Sequence, residues 1–118
     1  LNSYNFVIDA IDSVQDKALL ITKTFALKNA KLFSSMGAAM RFDPTRIKKT
    51  KFKKVTGDGL ARALRTRFKK SGRTSLPDFT CVWTDELPIS TQKPPSLMQV
   101  TAAFGLTLAS LVIDAVRK

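Results

Sequence analysis

The sequence predicts an α+β domain, and three observations carry that reading. Gly57-Asp58-Gly59 separates two basic runs, Arg46 to Val55 and Leu60 to Lys69. Asp-Gly between such runs is a strong short-range hairpin signal, because these residues tolerate positive φ. Phe79, Cys81 and Trp83 alternate with Thr80, Val82 and Thr84, which is the period of a strand. Leu97, Thr101, Phe104, Leu108, Leu111 and Ala115 recur at helical spacing. With 118 residues, the chain is expected to form one domain, 1–118, and to bury roughly two thirds of its unfolded surface.

Taken in order, the N-terminal stretch Tyr4 to Phe25 fits two descriptions. Val7, Ile11, Val14, Ala18, Ile21 and Phe25 lie at helical spacing, whereas Asn5 to Ile8 and Ala18 to Phe25 are rich in β-formers around a polar centre, Asp12 to Lys17. Ala26 to Phe33 reads as a short strand or a continuation, and Ser34 to Met40 is small-residue loop material. Asp43-Pro44 starts a new element, because the residue before proline is pushed out of helical geometry.

The following basic runs read as two antiparallel strands. In the first, Ile47 points to the packed side and Arg46, Lys48 and Thr50 to the basic side; Phe52 breaks that parity, which implies a bulge or an early strand end. In the second, Leu60, Leu64 and Phe68 take one parity, and Arg65, Arg67 and Lys69 the other. Leu60, Leu64 and Phe68 also satisfy an i, i+4, i+8 helical stripe, so both descriptions stand. Asp78 to Ile89 is then a strand as far as Pro88, which tolerates only an edge or a strand end.

Beyond Gln92 to Pro95, the run Leu97 to Val116 is helical. Met98, Val100, Leu106, Val112, Ile113 and Val116 make it apolar on nearly every side. Such a helix must be buried on more than one face, which in a short chain implies a partner subunit or a bilayer. Gln99, Thr101, Thr107, Ser110 and Asp114 interrupt it and argue against the bilayer. Gly105 reads either as permitting close approach of another backbone or as neutral, and Ser110 either as a kink between two helices or as neutral.

Charge is the most uneven property of the chain. Lys and Arg number 20 against nine acids, a net charge of +11. The excess lies between Arg46 and Arg73, where Asp58 is the sole acid. Charge so concentrated implies a polyanionic partner, either nucleic acid or an anionic lipid surface.

The residue inventory restricts the chemistry. With no His and one Cys, zinc sites and Cys/His or Ser/His catalysis are excluded. Asp85 and Glu86 are adjacent, so on a strand they point to opposite faces and cannot act as an acid/base pair. Gly57-Asp58-Gly59 lacks the spacing of a phosphate-binding loop. A non-enzyme is expected, with no cofactor and no metal. Cys81 alone implies a thiol packed in a core and a chain that does not depend on disulfides. No charged segment followed by an apolar one opens the chain, so no secretory signal is expected; the first residue is Leu1 and not Met, which leaves open whether residues precede it.

Asp78 to Ser90 followed by Ala102 to Val116, together with Pro44 to Thr50 and Arg62 to Phe68, is similar to the coat proteins of single-stranded RNA bacteriophages, the levivirus group. The resemblance implies an N-terminal β-hairpin, turning at Gln15 to Lys17, and an antiparallel sheet. Two C-terminal helices would then pack on a partner subunit's sheet, giving an intertwined dimer with Leu97, Val100, Phe104, Leu108, Leu111 and Val112 at the dimer interface. Such dimers would assemble into an icosahedral shell.

One sheet face would bind a genomic RNA hairpin as packaging signal and translational repressor. It would do so through Arg46, Lys48, Thr50, Arg65, Arg67, Lys69, Thr80, Val82 and Thr84. The expected location is the virion, assembled in the host bacterial cytoplasm, with neither a membrane nor a small-molecule substrate. The charge pattern leaves two alternatives: a small basic cellular RNA- or DNA-binding module, and a polybasic membrane-associated protein whose 97–116 segment inserts.

Overall fold

The computed structural model describes residues 4–27, 29–38, 41–72, 77–86 and 98–117. Its elements are β1 (Phe6–Asp9), α1 (Val14–Phe25), β2 (Lys31–Ser35), β3 (Ile47–Lys51), α2 (Gly59–Lys70), β4 (Thr80–Thr84) and α3 (Met98–Arg117), with 3-10 turns at Pro44–Arg46 and Phe52–Lys54. The four strands form one mixed sheet in the order β1-β2-β4-β3. β1, β2 and β4 run parallel, and β3 closes the sheet antiparallel to β4.

Two apolar clusters show how the layers stack. Val7, Leu32, Cys81 and Trp83 on one sheet face pack with Ala18 and Ile21 of α1 and with Ala61, Leu64 and Phe68 of α2. Phe33 and Val82 on the other face pack with Val100, Phe104, Leu108 and Leu111 of α3. Helices therefore cover both faces, which is why β4 is buried along four of its five residues.

The N-terminal ambiguity resolves as a strand and then a helix. β1 pairs with β2 in parallel, and parallel neighbours cannot be joined by a tight turn. The twelve residues of α1 supply the crossover, so the pairing here is not the expected N-terminal hairpin. Ser13 caps α1, and Asp16 and Lys23 sit at the ends that the helix dipole favours for each sign.

The turn expected at Gln15 to Lys17 is the first turn of this helix. Lys17 points inward, where its Nζ lies 2.9 Å from Asp9 Oδ2 with both side chains fully buried. It also donates to the Ile11 carbonyl at 3.0 Å, and the Ser34 hydroxyl donates to Asp9 Oδ2 at 2.6 Å. Burial holds the Lys17 ammonium below its usual pKa, with Asp9 opposing that effect.

Of the two basic runs, the first is a strand that ends at Lys51, and Phe52 starts a 3-10 turn, so its broken parity marks an early end. The second is α2. Gly57 takes φ 70, a conformation that suits glycine. Asp58 then caps the helix by accepting from the Ala61 amide at 2.9 Å. Asp-Gly is thus a helix start here instead of a hairpin turn, and Leu60, Leu64 and Phe68 follow the helical period that the sequence left open.

α3 is one unbroken helix of 20 residues. At Ser110 the hydroxyl returns to the Thr107 carbonyl at 2.7 Å and no second helix begins. By length and composition α3 could cross a membrane, but Val100, Phe104, Leu108 and Leu111 are buried on the chain's own sheet. Met98, Leu106, Ile113 and Val116 are exposed on the other side.

Two buried groups, Asp9 and Cys81, give checks on this core. Asp9→Ala leaves the Lys17 ammonium buried without its counter-charge, so urea unfolding should show a loss of about 3–5 kcal/mol; a loss near zero would mean that the pair does not hold the fold. Burial pushes the Cys81 thiol up from 9.0 to about 12. Since the thiolate is the nucleophile, alkylation at about pH 8 should require unfolding. Stability should also fall as pH rises above the ordinary thiol value, because only the unfolded thiol ionises there.

Candidate functional site

The three parallel strands end at one edge of the sheet, at Asp9, Ser35 and Thr84. A cleft of about 390 Å³ opens there between the segments following β1 and β2, the first turn of α2 and one side of α3. Met36, Leu60, Phe104 and Leu108 give it apolar walls, and Asp12, Ser35 and Thr101 supply polar groups. Gly105 lines it with no atom within 4 Å of where a Cβ would stand. A larger depression of about 500 Å³ lies between α1 and α2, away from the strand ends and with no carboxylate in its lining.

Two buried charge networks hold the cleft's loops. Asp9 Oδ1 accepts from the Ile11 amide at 3.0 Å, while Lys17 grips the Ile11 carbonyl, so Asp12 is presented at the rim by a fixed turn. Behind the second loop, Asp58 accepts from the Gly37 amide at 3.1 Å and from Arg41 Nη2 at 3.4 Å. Arg41 Nε reaches the Glu86 carbonyl, and the Glu86 carboxylate accepts from the Phe42 and Asp43 amides at 2.9 and 3.0 Å. Among the described residues no group of three acidic, thiol or imidazole side chains is placed to hold a metal ion.

The residues expected to bind RNA do not share a surface. Arg46 and Lys48 both donate to Asp85, at 3.0 and 2.9 Å; these bonds, that from Lys48 foremost, hold the Asp85 carboxyl below the usual carboxylate range. Thr50 is half-buried on β3. Arg65 is turned inward to the Phe52 and Val55 carbonyls, at 2.9 and 2.6 Å. Arg67 and Lys69 are exposed on α2, Thr80 is half-buried, and Val82 and Thr84 are buried in β4. The expected grouping assumed three strands of one sheet; α2 replaces one of them and spreads its residues around a helix axis, and the register of β3 with β4 sets Lys48 and Thr50 opposite Trp83 and Cys81, on the other face from Val82.

The residues expected at a dimer interface face inward instead. Val100, Phe104, Leu108 and Leu111 are buried against the chain's own sheet, Val112 packs beside them, and Leu97 lies outside the described residues. Of the features that matter at the cleft, Asp12 and Gly37 were not singled out, while Asp58 and Gly105 were read for other roles, a hairpin turn and a close helix contact. The one local signal for Asp12 is Asp9-Ala10-Ile11-Asp12-Ser13, two carboxylates and a cap at the end of an apolar strand.

A sheet with helices on both faces and a cleft outside the carboxyl ends of its parallel strands defines a class of ligand-binding architecture, in which those ends form the binding edge. Comparison with known proteins gives more particular likenesses. The chain is 35% identical over 85 residues to the tRNA threonylcarbamoyladenosine dehydratase of Bacillus subtilis, covering 72% of this chain and 32% of that protein. It is 45% identical over 67 residues to the Escherichia coli enzyme of the same name, covering 56% of this chain and 24% of that one.

Among solved structures, TcdA (CsdL) superimposes on 98% of this chain with a TM-score of 0.80 and 32% identity, over 53% of its own length. E. coli TcdA in complex with AMP does so at 0.77, again with 98% of this chain, 52% of its own and 32% identity. The chain thus spans about half the length of these solved chains and a third or less of the curated relatives. No protein-family model matches it.

These likenesses overturn the resemblance to phage coat proteins. The relatives are cellular enzymes named for a tRNA modification, which contradicts a capsid function, a viral RNA hairpin as partner, a virion location and a non-enzyme. Solved neighbours hold AMP and ATP, against the expected absence of a small-molecule ligand. Nor do relatives named as enzymes support a stand-alone nucleic-acid-binding module or a polybasic membrane protein. The coat-protein reading rested on matching strand and helix order, and a basic run beside an apolar C-terminal helix serves more than one architecture.

Gly37 provides a direct check on the cleft's frame. A Cβ there would lie 2.9 Å from Asp58 Oδ1, an oxygen already fixed by Arg41 and the Gly37 amide. Gly37→Ala should cost about 1–3 kcal/mol in thermal or urea unfolding, and an unchanged midpoint would show that the Asp58 network yields.

Proposed function

We propose that this chain forms part of an ATP-dependent tRNA-modifying enzyme of the threonylcarbamoyladenosine dehydratase kind, with the cleft at the β1 and β2 ends as part of its active site. The observation that carries the reading is the 98% superposition, at 32% identity, on E. coli TcdA in complex with AMP and with ATP. The cleft supports it independently. It has apolar walls that suit a nucleoside ring and a rim carboxylate, Asp12, that suits its hydroxyl groups. Expulsion of water from a substrate is opposed by bulk water, and a nucleoside triphosphate supplies the driving force.

Under this reading Asp12 and Thr101 orient the ligand and Phe104 excludes water from one side. Asp9 and Lys17 act only by positioning Asp12. The activity is tested by incubating the protein with ATP and tRNA carrying threonylcarbamoyladenosine, then weighing the released nucleosides for a product lighter by one water. Failure to form it, together with failure to bind AMP, would remove the proposal.

Gly105→Leu gives the sharper expectation. Leucine favours a helix over glycine by roughly 0.5–1 kcal/mol, and its Cβ meets nothing here, yet its side chain fills the cleft. The melting temperature should hold or rise while AMP affinity drops by about tenfold or more, equivalent to about 1.4 kcal/mol. Unchanged AMP affinity would place the nucleotide elsewhere.

A further inference from the structure

We infer that the 3-10 turn at Phe52–Lys54 and the adjoining flank of α2 form the docking surface for the phosphate backbone of the tRNA, with Lys53, Lys54, Arg62, Lys69 and Lys70 as its cations. The inference rests on the tRNA substrate proposed above and adds to it a second, separate site on the chain.

The structure divides the basic stretch into charges that are already answered and charges that are not. On β3 and the turn before it, Arg46 and Lys48 share Asp85, and Lys49 lies 3.7 Å from Asp114. The sole acid of the stretch, Asp58, is 2% exposed and turned inward to Arg41 and the start of α2. It therefore screens nothing at the surface. Lys53, Lys54, Arg62, Lys69 and Lys70 are exposed, and none has an acidic partner among the described residues.

Arg65 makes these cations one surface. It stands with Arg62 and Lys69 at i, i+3 and i+7, the spacing of a single helix flank. Its guanidinium bonds to the Phe52 and Val55 carbonyls and lies 5.0 Å above the Phe52 ring. Phe52 is itself fully buried, against Phe68 and Phe79. The turn bearing Lys53 and Lys54 is thereby clamped to the flank bearing Arg62 and Lys69. Cations held this way lose less freedom on binding than those of a mobile tail.

Placement relates the surface to the chemistry. Leu60, in the first turn of α2, is a wall of the cleft, and Arg62 follows two residues later. From there to Lys69 the helix climbs about 10 Å, so a strand whose modified nucleoside entered the cleft would lead its flanking phosphates along this flank. Backbone contacts of this kind position a nucleic acid without reading its sequence.

The test compares the full-length protein with the variant K53Q/K54Q/R62Q/K69Q/K70Q in binding to tRNA across a salt series, with AMP binding measured alongside. All five side chains are exposed, so the fold should persist, and an unchanged AMP affinity confirms it. Five lost phosphate contacts should cut the log-log salt slope by about 3.5 to 4.5 and weaken binding by more than about tenfold. The control K23Q/K31Q should bind as the parent does.

An equal slope and affinity in the five-fold variant would overturn the surface while leaving the cleft untouched, as would a parent that preferred vesicles of phosphatidylserine and phosphatidylcholine to tRNA. A parent that binds tRNA through these cations but binds no AMP would remove the cleft reading and leave the surface standing.

Discussion

The ion pair between Asp9 and Lys17 is the constraint on which the rest of the architecture depends. Two opposite charges removed from water are tolerable only when paired and further hydrogen-bonded, and here one carboxylate serves three elements. It takes the Lys17 ammonium from α1, the Ser34 hydroxyl from β2 and the Ile11 amide from the intervening turn. Strand, helix and neighbouring strand can therefore satisfy their polar groups in one relative placement. A helix of apolar residues alone could slide along the sheet at little cost; this one is pinned.

The same logic recurs at Asp58 and Glu86. Each is a carboxylate turned inward to hold main-chain amides, Asp58 at Gly37 and Ala61 and Glu86 at Phe42 and Asp43, with Arg41 between them. Acids consumed in this way are subtracted from the surface. The exposed face of α2 is consequently more basic than composition alone suggests, and the folding of the loops and the charge of the exterior have a common cause.

Legibility in the sequence followed the range of the interactions concerned. The middle of β4 was plain, because Phe79, Cys81 and Trp83 alternate with Thr80, Val82 and Thr84, the first set meeting one helical layer and Val82 the other; the strand nevertheless stops at Thr84, short of the end expected near Pro88. The strand Ile47–Lys51 and its early end were legible from Phe52. The helix of Leu60, Leu64 and Phe68 was visible as one of two periods, but the choice lay with Asp58, whose side chain caps the helix instead of turning a hairpin. Lys17 gave no sign of burial, since its partner lies on the preceding strand and the residues just before it, Gln15 and Asp16, are polar. The cleft was illegible for the same reason: Asp12, Met36, Leu60 and Gly105 come from four separate segments joined only by the tertiary fold.

The two margins of the sheet are unlike. On one side β3 presents Lys48, Lys49 and Lys51, so an approaching strand meets like charge and a lysine-rich border. On the other, Phe6-Val7-Ile8-Asp9 has β2 as its sole partner among the described residues, and Ile8 stands 47% exposed. Main-chain pairing is thus discouraged at the β3 border, whereas the β1 border carries no such row of lysines to repel a further strand.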